Sequence, residues 1–183
     1  MNRIRLVFSG SGGQGVITAA IILAEAAVIH EGMNATQSQS YGAAARGGST
    51  RSDIIISDDE IDFPEVEQPN VLVCLTQDAY NSYSNIIRPG GILLTDSKFV
   101  ETVRKVDAKK IELPMYQQVM DTINKPVVYN ICMLGALIGI TELIQPRSIL
   151  QVLSKRISAD FLAMNQRAFD IGLALGSQYL TPI

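Results

Sequence analysis

Gly10-Ser11-Gly12-Gly13-Gln14-Gly15 decides the fold, because this stretch has the G-x-G-x-x-G spacing of a phosphate-binding loop. An apolar run at residues 4–8 precedes it, and an apolar helical pattern follows it. Glycines let the backbone approach an anion closely, and a first helical turn offers unpaired N–H groups. The spacing predicts a strand, a loop that binds a phosphorylated ligand, and a helix. The alternative is a tight connection that binds nothing.

Composition narrows the class of protein. The chain has 183 residues, of which 47% are hydrophobic, and a net charge of -3, so we expect one domain over residues 1–183. Its Lys and Arg residues are scattered, which argues against a nucleic-acid partner. The longest apolar stretch, residues 131–140, is too short to cross a membrane, and the N-terminus does not have the pattern of a secretory signal. We therefore expect a cytoplasmic protein without membrane contact.

The helix after the glycine loop has apolar residues at helical spacing. We expect this helix to bury one stripe against a sheet and to end at Gly32. The predicted stripe consists of Ile17, Ala20, Ile21, Ala24 and Val28.

Strand and helix patterns alternate through the next part of the chain. Residues 33–41 are extended and polar, and a strand from Ser49 is expected to run antiparallel to the others and to end in a hairpin-type acidic bend at residues 57–60. The continuous apolar run at residues 71–75 predicts a central parallel strand. A strand–helix–strand unit then ends at Asp96, a candidate ligand.

The last third of the chain is mostly helical. Pro126 is expected to begin an apolar helix that runs through Ile140, and Ser158 to cap the last helix. The whole pattern predicts a three-layer α/β domain. Its sheet is doubly wound, Rossmann-like and mostly parallel with some antiparallel pairing, and its C-terminal third is helical.

A second glycine-rich stretch, Tyr41-Gly42-Ala43-Ala44-Ala45-Arg46-Gly47-Gly48, follows the polar strand. In a doubly wound sheet both loops are expected at the carboxyl ends of strands, where ligands bind. Arg46 together with Arg51 can clamp a phosphate bidentately while the glycines let the backbone approach. The alternative is a flexible loop with a solvated arginine.

The glycine fingerprint alone would indicate NAD or FAD. That interpretation needs an acidic residue at the end of the second strand, where this chain has residues 35–39 without a carboxylate. The two cysteines, Cys74 and Cys132, sit in apolar runs and are interpreted as buried thiols. An iron–sulfur cluster usually takes four thiolates, so we expect the chain to carry none.

Residues 10–16 and 40–48 together resemble the paired signature of the gamma subunit of 2-oxoacid:ferredoxin oxidoreductases. This subunit is equivalent to the gamma domain of pyruvate:ferredoxin oxidoreductase. Residues 51–57 and 62–69 fit the same family, as does Asn130 before Leu134-Gly135-Ala136-Leu137. The resemblance covers nearly the whole chain, and two long motifs in order are more specific than the glycine spacing.

The resemblance implies a multisubunit enzyme that decarboxylates a 2-oxoacid, passes electrons to ferredoxin and releases an acyl-CoA. Thiamine diphosphate and the iron–sulfur clusters would belong to partners, the alpha, beta and possibly delta subunits, and the gamma subunits would self-associate. No catalytic or metal-binding residue is expected here. The residues expected to bind coenzyme A or the interface beside it are Gly10, Ser11, Gly12, Gly13, Gln14, Gly15, Tyr41, Gly42, Arg46, Gly47, Gly48 and Asn130.

Several alternatives stay open at this stage. The segment at residues 52–69, followed by residues 76–80, is most similar to 2-oxoglutarate-type gamma subunits. Pyruvate or branched-chain 2-oxoacid enzymes are the main competitors, and the indolepyruvate oxidoreductase small subunit is a further relative. Two alternatives of other classes also remain. One is a purely architectural subunit, and the other is a stand-alone dinucleotide-binding oxidoreductase. For Asn130 the alternative is a helix-terminal residue that satisfies backbone groups.

Overall fold

The computed structural model describes residues 3–41 and 49–183. These residues form six strands and six α-helices, with short 3-10 helices at Ser84–Ile86 and Pro126–Val128. The elements in chain order are β1 (Ile4–Ser11), α1 (Val16–Glu31), β2 (Asn34–Tyr41), β3 (Ser49–Ser57), β4 (Val71–Cys74), α2 (Gln77–Tyr83), β5 (Gly91–Asp96), β6 (Ala108–Leu113), α3 (Met115–Thr122), α4 (Tyr129–Thr141), α5 (Pro146–Arg156) and α6 (Ala159–Ser177).

The strands form one sheet in the order β2-β3-β1-β4-β5-β6. β1, β4, β5 and β6 are mutually parallel, and β3 runs antiparallel to both of its neighbours, β1 and β2. The prediction of a mostly parallel sheet with some antiparallel pairing is confirmed, and so is the direction of β3. Because β3 is antiparallel to both neighbours, β2 and β1 run in the same direction and end at the same edge of the sheet.

Helices cover both faces of the sheet, so the predicted three layers are confirmed. On one face, side chains such as Leu6, Phe8 and Val73 form the larger core with α1, α3, α4, α5 and α6. On the other face, Val7 and Leu72 pack in a smaller core with α2. The alternation along each strand distributes its side chains between the two cores.

The buried face of α1 differs from the predicted one. Ile17, Ile21 and Ala24 are only partly buried, and Val28 is 47% exposed. Because α1 is apolar almost all round, its apolar spacing does not single out one face. The end of the helix at Gly32 is confirmed, with a left-handed φ of 69°. The residues that α1 buries are Val16, Ala19, Ala20, Ile22, Leu23, Ala26 and Ala27.

Three further boundary predictions need correction. Residues 57–60 do not close a hairpin, because the chain after β3 crosses to β4 on the far side of β1. Pro126 begins a 3-10 helix, and α4 begins only at Tyr129. Ser158 occupies the N-cap position of α6, but in the described part of the chain its side chain makes no capping hydrogen bond.

The glycine-mediated packing of α4 against α6 was not predicted from the sequence. Gly135 and Gly139 on α4 face Gly172 and Gly176 on α6, so each helix carries a G-x-x-x-G spacing. A Cβ at Gly172 would overlap the carbonyl oxygen of Cys132, and one at Gly139 would lie 2.5 Å from the Leu173 oxygen. The two backbones therefore touch directly. The repeated spacing of four was the available signal.

Candidate functional site

The glycine loop connects β1 to α1 by a sharp turn. Gly10 and Ser11 are the last residues of β1, and α1 begins at Val16. Gly13 and Gly15 have φ values of 91° and 72°, a region that side chains with a Cβ rarely adopt. The strand–loop–helix order predicted from the sequence is thus present, and two of its glycines are required by the backbone.

Gln14 holds the loop closed. Its Oε1 accepts a hydrogen bond from the Ser11 N–H at 2.8 Å, and its Nε2 donates to the Leu75 oxygen at 3.4 Å. A Cβ on Gly10 would lie 2.5 Å from the same Oε1. The Gln14 side chain therefore links the loop to the residue that follows β4. Of Gln14, only the backbone remains available to a ligand.

The outer part of the loop is open. A Cβ built on Gly12 or Gly13 would have no heavy atom of the described residues within 4 Å. The first turn of α1 contains no acidic residue. Its N-cap residue is Gly15, which has no side chain to accept a hydrogen bond from the N–H groups of that turn. The positive end of the helix dipole thus faces a depression of about 240 Å³ next to Thr50. This arrangement suits an anion.

Asn130, predicted as a site residue, lies directly against this loop. It is the second residue of α4, it is 7% exposed, and its Nδ2 donates to the Gly15 oxygen at 3.1 Å. A Cβ on Gly15 would lie 2.5 Å from Nδ2. The structure therefore brings Asn130 and residues 10–15 together, although they are more than 100 positions apart in the chain.

Asp96 fixes the start of α4 and is not a free ligand. Its carboxylate accepts hydrogen bonds from the Lys98 N–H at 2.9 Å, the Tyr116 N–H at 2.8 Å and the Tyr129 hydroxyl at 2.9 Å. Burial raises the pKa of Asp96 above its usual value, and these hydrogen bonds act in the opposite direction. The rings of Phe99, Tyr116 and Tyr129 pack edge to face around it. Tyr129 precedes Asn130, so this cluster also orients the site.

A cleft of about 510 Å³ opens beside the loop. Its lining includes Gly13, Gly15 and Thr18 from the loop and the start of α1, and Phe161 and Met164 from α6. The remaining lining residues are Ile22, Val127, Val128, Asn130, Ile131, Arg156, Ile157, Ser158 and Asn165. The lining is mainly apolar beside an open backbone loop, so the cleft can accept an extended ligand with one charged end.

The second predicted motif begins at the same edge of the sheet. Tyr41 pairs with Thr50, and Thr50 pairs in turn with Gly10 across β3. The predicted site residues Gly42, Arg46, Gly47 and Gly48 lie outside the described residues. β2 thus ends at Tyr41 at the same edge of the sheet as β1, and the expected position of the rest of the second loop concerns residues outside the described ones.

The Arg51 guanidinium, predicted to bind a phosphate together with Arg46, is bound by groups of the protein in this structure. Its Nε donates to Asp53 at 2.5 Å, and its guanidinium also donates to the Val66 oxygen at 2.7 Å and lies 5.4 Å from the centre of the Tyr83 ring. The Arg51 guanidinium and the Asp53 carboxylate form a bidentate pair, and this pairing holds both side chains in place. Arg51 thereby anchors the crossover between β3 and β4. Asp53, two residues away on the same face of the strand, was the signal for this pairing.

The two cysteines are core residues. Burial raises the pKa of both Cys74 and Cys132 to about 12, so both stay protonated at neutral pH. Over residues 3–41 and 49–183, no three His, Cys, Asp or Glu side chains come together in a way that could hold a metal ion. In the same residues, no helix is long and apolar enough to span a membrane.

Comparison with known proteins identifies the family. A sequence profile described as "Pyruvate ferredoxin/flavodoxin oxidoreductase" matches residues 5–175, which is nearly the whole chain. The chain belongs to the pyruvate ferredoxin/flavodoxin oxidoreductase family. The resemblance of its two loop motifs to the gamma subunit of a 2-oxoacid:ferredoxin oxidoreductase is thus confirmed.

Two relatives within the pyruvate ferredoxin/flavodoxin oxidoreductase family match over nearly their full length. The 2-oxoglutarate synthase subunit KorC of Methanocaldococcus jannaschii is 38% identical over 178 residues, which cover 96% of this chain and 95% of that protein. The crystal structure of a keto/oxoacid ferredoxin oxidoreductase gamma subunit from Geobacter sulfurreducens PCA is 34% identical with a TM-score of 0.90. That match covers 99% of this chain and all of the other.

A third match shows the same fold inside a longer chain. It is the 2-oxoglutarate:ferredoxin oxidoreductase from Magnetococcus marinus, solved with 2-oxoglutarate, coenzyme A and succinyl-CoA bound. The TM-score is 0.87 at 23% identity, and the match covers 99% of this chain but 32% of that one. At this identity the likeness concerns the fold alone. The family fold thus occurs both as a separate chain and as part of a larger one.

Proposed function

We propose that this chain is the gamma subunit of a complex that oxidatively decarboxylates 2-oxoglutarate to an acyl-CoA and reduces ferredoxin. The name of the Methanocaldococcus jannaschii relative, 38% identical over nearly its full length, supports 2-oxoglutarate as the substrate. Assays of the purified complex with 2-oxoglutarate, pyruvate and branched-chain 2-oxoacids test this choice. A higher kcat/KM for either of the other two classes would reject it.

We place the complex in the cytoplasm. Thiamine diphosphate and the iron–sulfur clusters are assigned to its alpha, beta and possibly delta subunits. This assignment is supported by the presence of only two cysteines, Cys74 and Cys132, both buried in the core. Purification of the tagged chain from its own cell, followed by mass spectrometry, tests the assignment. Recovery of thiamine-diphosphate-binding and ferredoxin-like subunits is expected, and recovery of a lone chain with bound NAD would contradict it.

Within the complex, we assign to this chain part of the coenzyme A site. The observation that carries this assignment is the open backbone of Gly12 and Gly13 at the N-terminus of α1, beside a mainly apolar cleft. Coenzyme A has phosphates at one end and a long, uncharged pantetheine arm. The loop N–H groups suit the phosphates, and the cleft suits the arm. The second loop, at Tyr41, Gly42, Arg46, Gly47 and Gly48, is assigned to the same ligand or to the interface beside it.

A pair of substitutions of equal size at Gly12 tests the assignment. Gly12→Asp and Gly12→Asn add nearly the same volume in open space, but only Gly12→Asp adds negative charge where a phosphate would bind. An acidic residue near a helix N-terminus does not weaken the helix. We therefore expect both variants to assemble normally.

Steady-state kinetics of the assembled complex gives the readout. Gly12→Asp is expected to raise the KM for coenzyme A about 10-fold or more over Gly12→Asn, which corresponds to about 1.4 kcal/mol or more. The KM for the 2-oxoacid is expected to stay unchanged in both. Equal KM values for coenzyme A in both variants and the unmodified complex would exclude the loop from the site.

Arg46→Ala separates ligand binding from architecture. We expect a higher requirement for coenzyme A with the complex intact, because the variant loses a cation that can pair with phosphate. A complex that fails to assemble would assign this loop to a subunit interface. Unchanged assembly with an unchanged coenzyme A requirement would favour a purely architectural subunit.

A further inference from the structure

The strand β3 carries two hydroxyl side chains on the face of the sheet that α1 covers. Thr50 and Ser52 share this face with Ile54, which belongs to the core beneath α1. The Ser52 hydroxyl donates to the Ser38 oxygen at 3.2 Å and accepts from Gln37 Nε2 at 2.8 Å. The Ser52 hydroxyl is therefore satisfied within the sheet.

Thr50 differs from Ser52, because its hydroxyl is buried without a hydrogen-bond partner. Only 7% of Thr50 is exposed, and its hydroxyl makes no hydrogen bond with any residue that the structure describes. Most polar side-chain atoms buried to this extent are hydrogen-bonded in proteins. Thr50 also lines the depression of about 240 Å³ beside the glycine loop. Its unpaired hydroxyl is therefore available to a ligand in that depression.

The first turn of α1 lines the same depression. Val16, Ile17 and Thr18 border it, and they are the first three residues of the helix. The N–H of the next residue, Ala19, donates to the N-cap oxygen at 3.0 Å, so the three preceding N–H groups have no partner within the helix. These three donors and the Thr50 hydroxyl therefore border one depression. Such a set of donors suits a group with several acceptor oxygens, such as a phosphate.

The depression adjoins the apolar cleft, because Gly13, Gly15 and Thr18 line both. Pockets that enclose a whole small molecule usually measure about 300–1,000 Å³, so a depression of about 240 Å³ holds one part of a ligand. In coenzyme A, the pyrophosphate is bonded directly to the pantetheine arm, whereas the 3′-phosphate lies on the ribose at the far end. A pantetheine arm in the cleft therefore places the pyrophosphate in the depression.

We propose that Thr50 binds the pyrophosphate of coenzyme A, with its hydroxyl donating to a phosphate oxygen at the first turn of α1. This role of Thr50 rests on the proposed coenzyme A site. It adds a residue of β3 to that site and sets the direction of the ligand, with the pantetheine arm in the cleft and the pyrophosphate beside Thr50. The adenosine and its 3′-phosphate then lie outside the depression.

Thr50→Val tests this role, because valine keeps the shape of the side chain and removes the hydroxyl. The removal leaves no described group of the protein unpaired, so we expect normal assembly and a Tm no lower than that of the unmodified complex. The Kd of the assembled complex for coenzyme A, measured by isothermal titration calorimetry, is expected to rise about 10-fold, since a hydrogen bond to a charged group is lost. Thr50→Ser keeps a hydroxyl and should retain most of the affinity.

Thr36→Val is the matched control, because it makes the same chemical change on the other face of the sheet. Thr36 pairs with Ile55, whose side chain belongs to the core on that other face. The Kd of this variant for coenzyme A should equal that of the unmodified complex. An unchanged Kd in Thr50→Val, or an equal loss of affinity in Thr50→Ser, would overturn the role of the Thr50 hydroxyl.

Titration with 3′-dephospho-coenzyme A distinguishes the pyrophosphate from the 3′-phosphate. Thr50→Val should lower the affinity for this ligand by the same factor as for coenzyme A, because both ligands carry the pyrophosphate. An effect confined to coenzyme A would assign Thr50 to the 3′-phosphate and overturn the proposed direction of the ligand.

The two Gly12 variants separate the role of Thr50 from the site on which it depends. A raised KM for coenzyme A in Gly12→Asp, together with an unchanged Kd in Thr50→Val, would overturn the role of Thr50 and leave the loop in the coenzyme A site. Unchanged values in both variants would overturn the site as well.

Discussion

Two groups of glycines serve opposite purposes in this protein. In the loop, Gly12 and Gly13 leave backbone atoms open to the surroundings, whereas Gly135 and Gly172 lie where α4 and α6 touch. The first group keeps side chains away from a surface, and the second lets two helices approach closely. The same residue type thus creates space in one place and removes it in the other. α4 belongs to both regions, because its first turn holds Asn130 against the loop.

The sharpest test of this difference is the same substitution in both regions. Gly172→Ala places a Cβ against the carbonyl oxygen of Cys132, so we expect α4 and α6 to separate and the free energy of unfolding to fall by about 3 kcal/mol or more. Gly12→Ala meets no atom within 4 Å and should change it by less than about 0.5 kcal/mol. Urea denaturation measures both. Equal losses would remove the distinction between the two groups.

Gly15 stands between the two groups, because it combines a left-handed φ of 72° with close contact to Asn130. Gly15→Ala is expected to cost about 2–3 kcal/mol, from backbone strain and crowding together. In an Asn130→Ala background the two nearest atoms, at 2.5 and 2.8 Å, are removed and only the Cβ at 3.1 Å remains, so the same change should cost less, about 1–2 kcal/mol. A double-mutant cycle from denaturation curves gives the coupling. Additive losses of unfolding free energy would mean that the Asn130 side chain does not crowd position 15.

Asp96 tests whether the start of α4 links the two regions. Asp96→Asn puts an amide NH2 opposite at least one of the three donors that the carboxylate accepts from, so we expect a loss of about 1–2 kcal/mol at pH 7. Hydrogen exchange should rise in the first turn of α4, which begins at Tyr129, and not at the Gly172 crossing.

The pH dependence of the same variant has a defined sign. Burial raises the pKa of Asp96 above 3.8, so the folded protein binds this proton more tightly than the unfolded chain does. The resulting stabilisation is fully present below pH 3.8 and is lost as the pH rises through the raised pKa. The stability of the unmodified protein relative to Asp96→Asn should therefore increase between pH 7 and pH 4. A constant difference would contradict the raised pKa.

The smallest effect is expected at the outer surface of α1. Glu25 accepts a hydrogen bond from Arg156 Nε at 2.6 Å, but the two side chains are 34% and 41% exposed, so Glu25→Gln should cost about 0.5 kcal/mol. The hydrogen bond to Arg156 lowers the pKa of Glu25 below 4.5. This contribution is present above pH 4.5 and is lost as the pH falls through the lowered pKa. NMR titration of Glu25 checks the direction of this shift, and an unshifted pKa would show that the pair does not persist in solution.

Much of the fold followed from local signals. The strand–loop–helix unit, the end of α1 at Gly32, the antiparallel β3 and the central β4 were all predicted, because each depends on residues close together in the chain. The buried face of α1 was not, since an all-apolar helix buries whichever side its neighbours cover. The predicted hairpin after β3 was also wrong, because an acidic bend does not show which strand the following strand, β4, will pair with.

The candidate site divides in the same way. The glycine spacing and the resemblance identified residues 10–15 and Asn130, and the structure brings them together. The sequence did not show that the Arg51 guanidinium contacts Asp53 and the Val66 oxygen, because these contacts depend on the path of the chain after β3. Asp96 had only a position at a strand end, and its three donors come from a loop and two helices.

The sequence by itself determined that a strand ends in an open glycine loop before a helix, and which family carries that motif with the second loop. Chirality and the absence of a Cβ act within a few residues, so they can be read from the chain. Only the tertiary structure decided that the Gln14 side chain fills the space beside Gly10 and that Asn130 contacts Gly15. These properties depend on which distant segments meet in the folded protein.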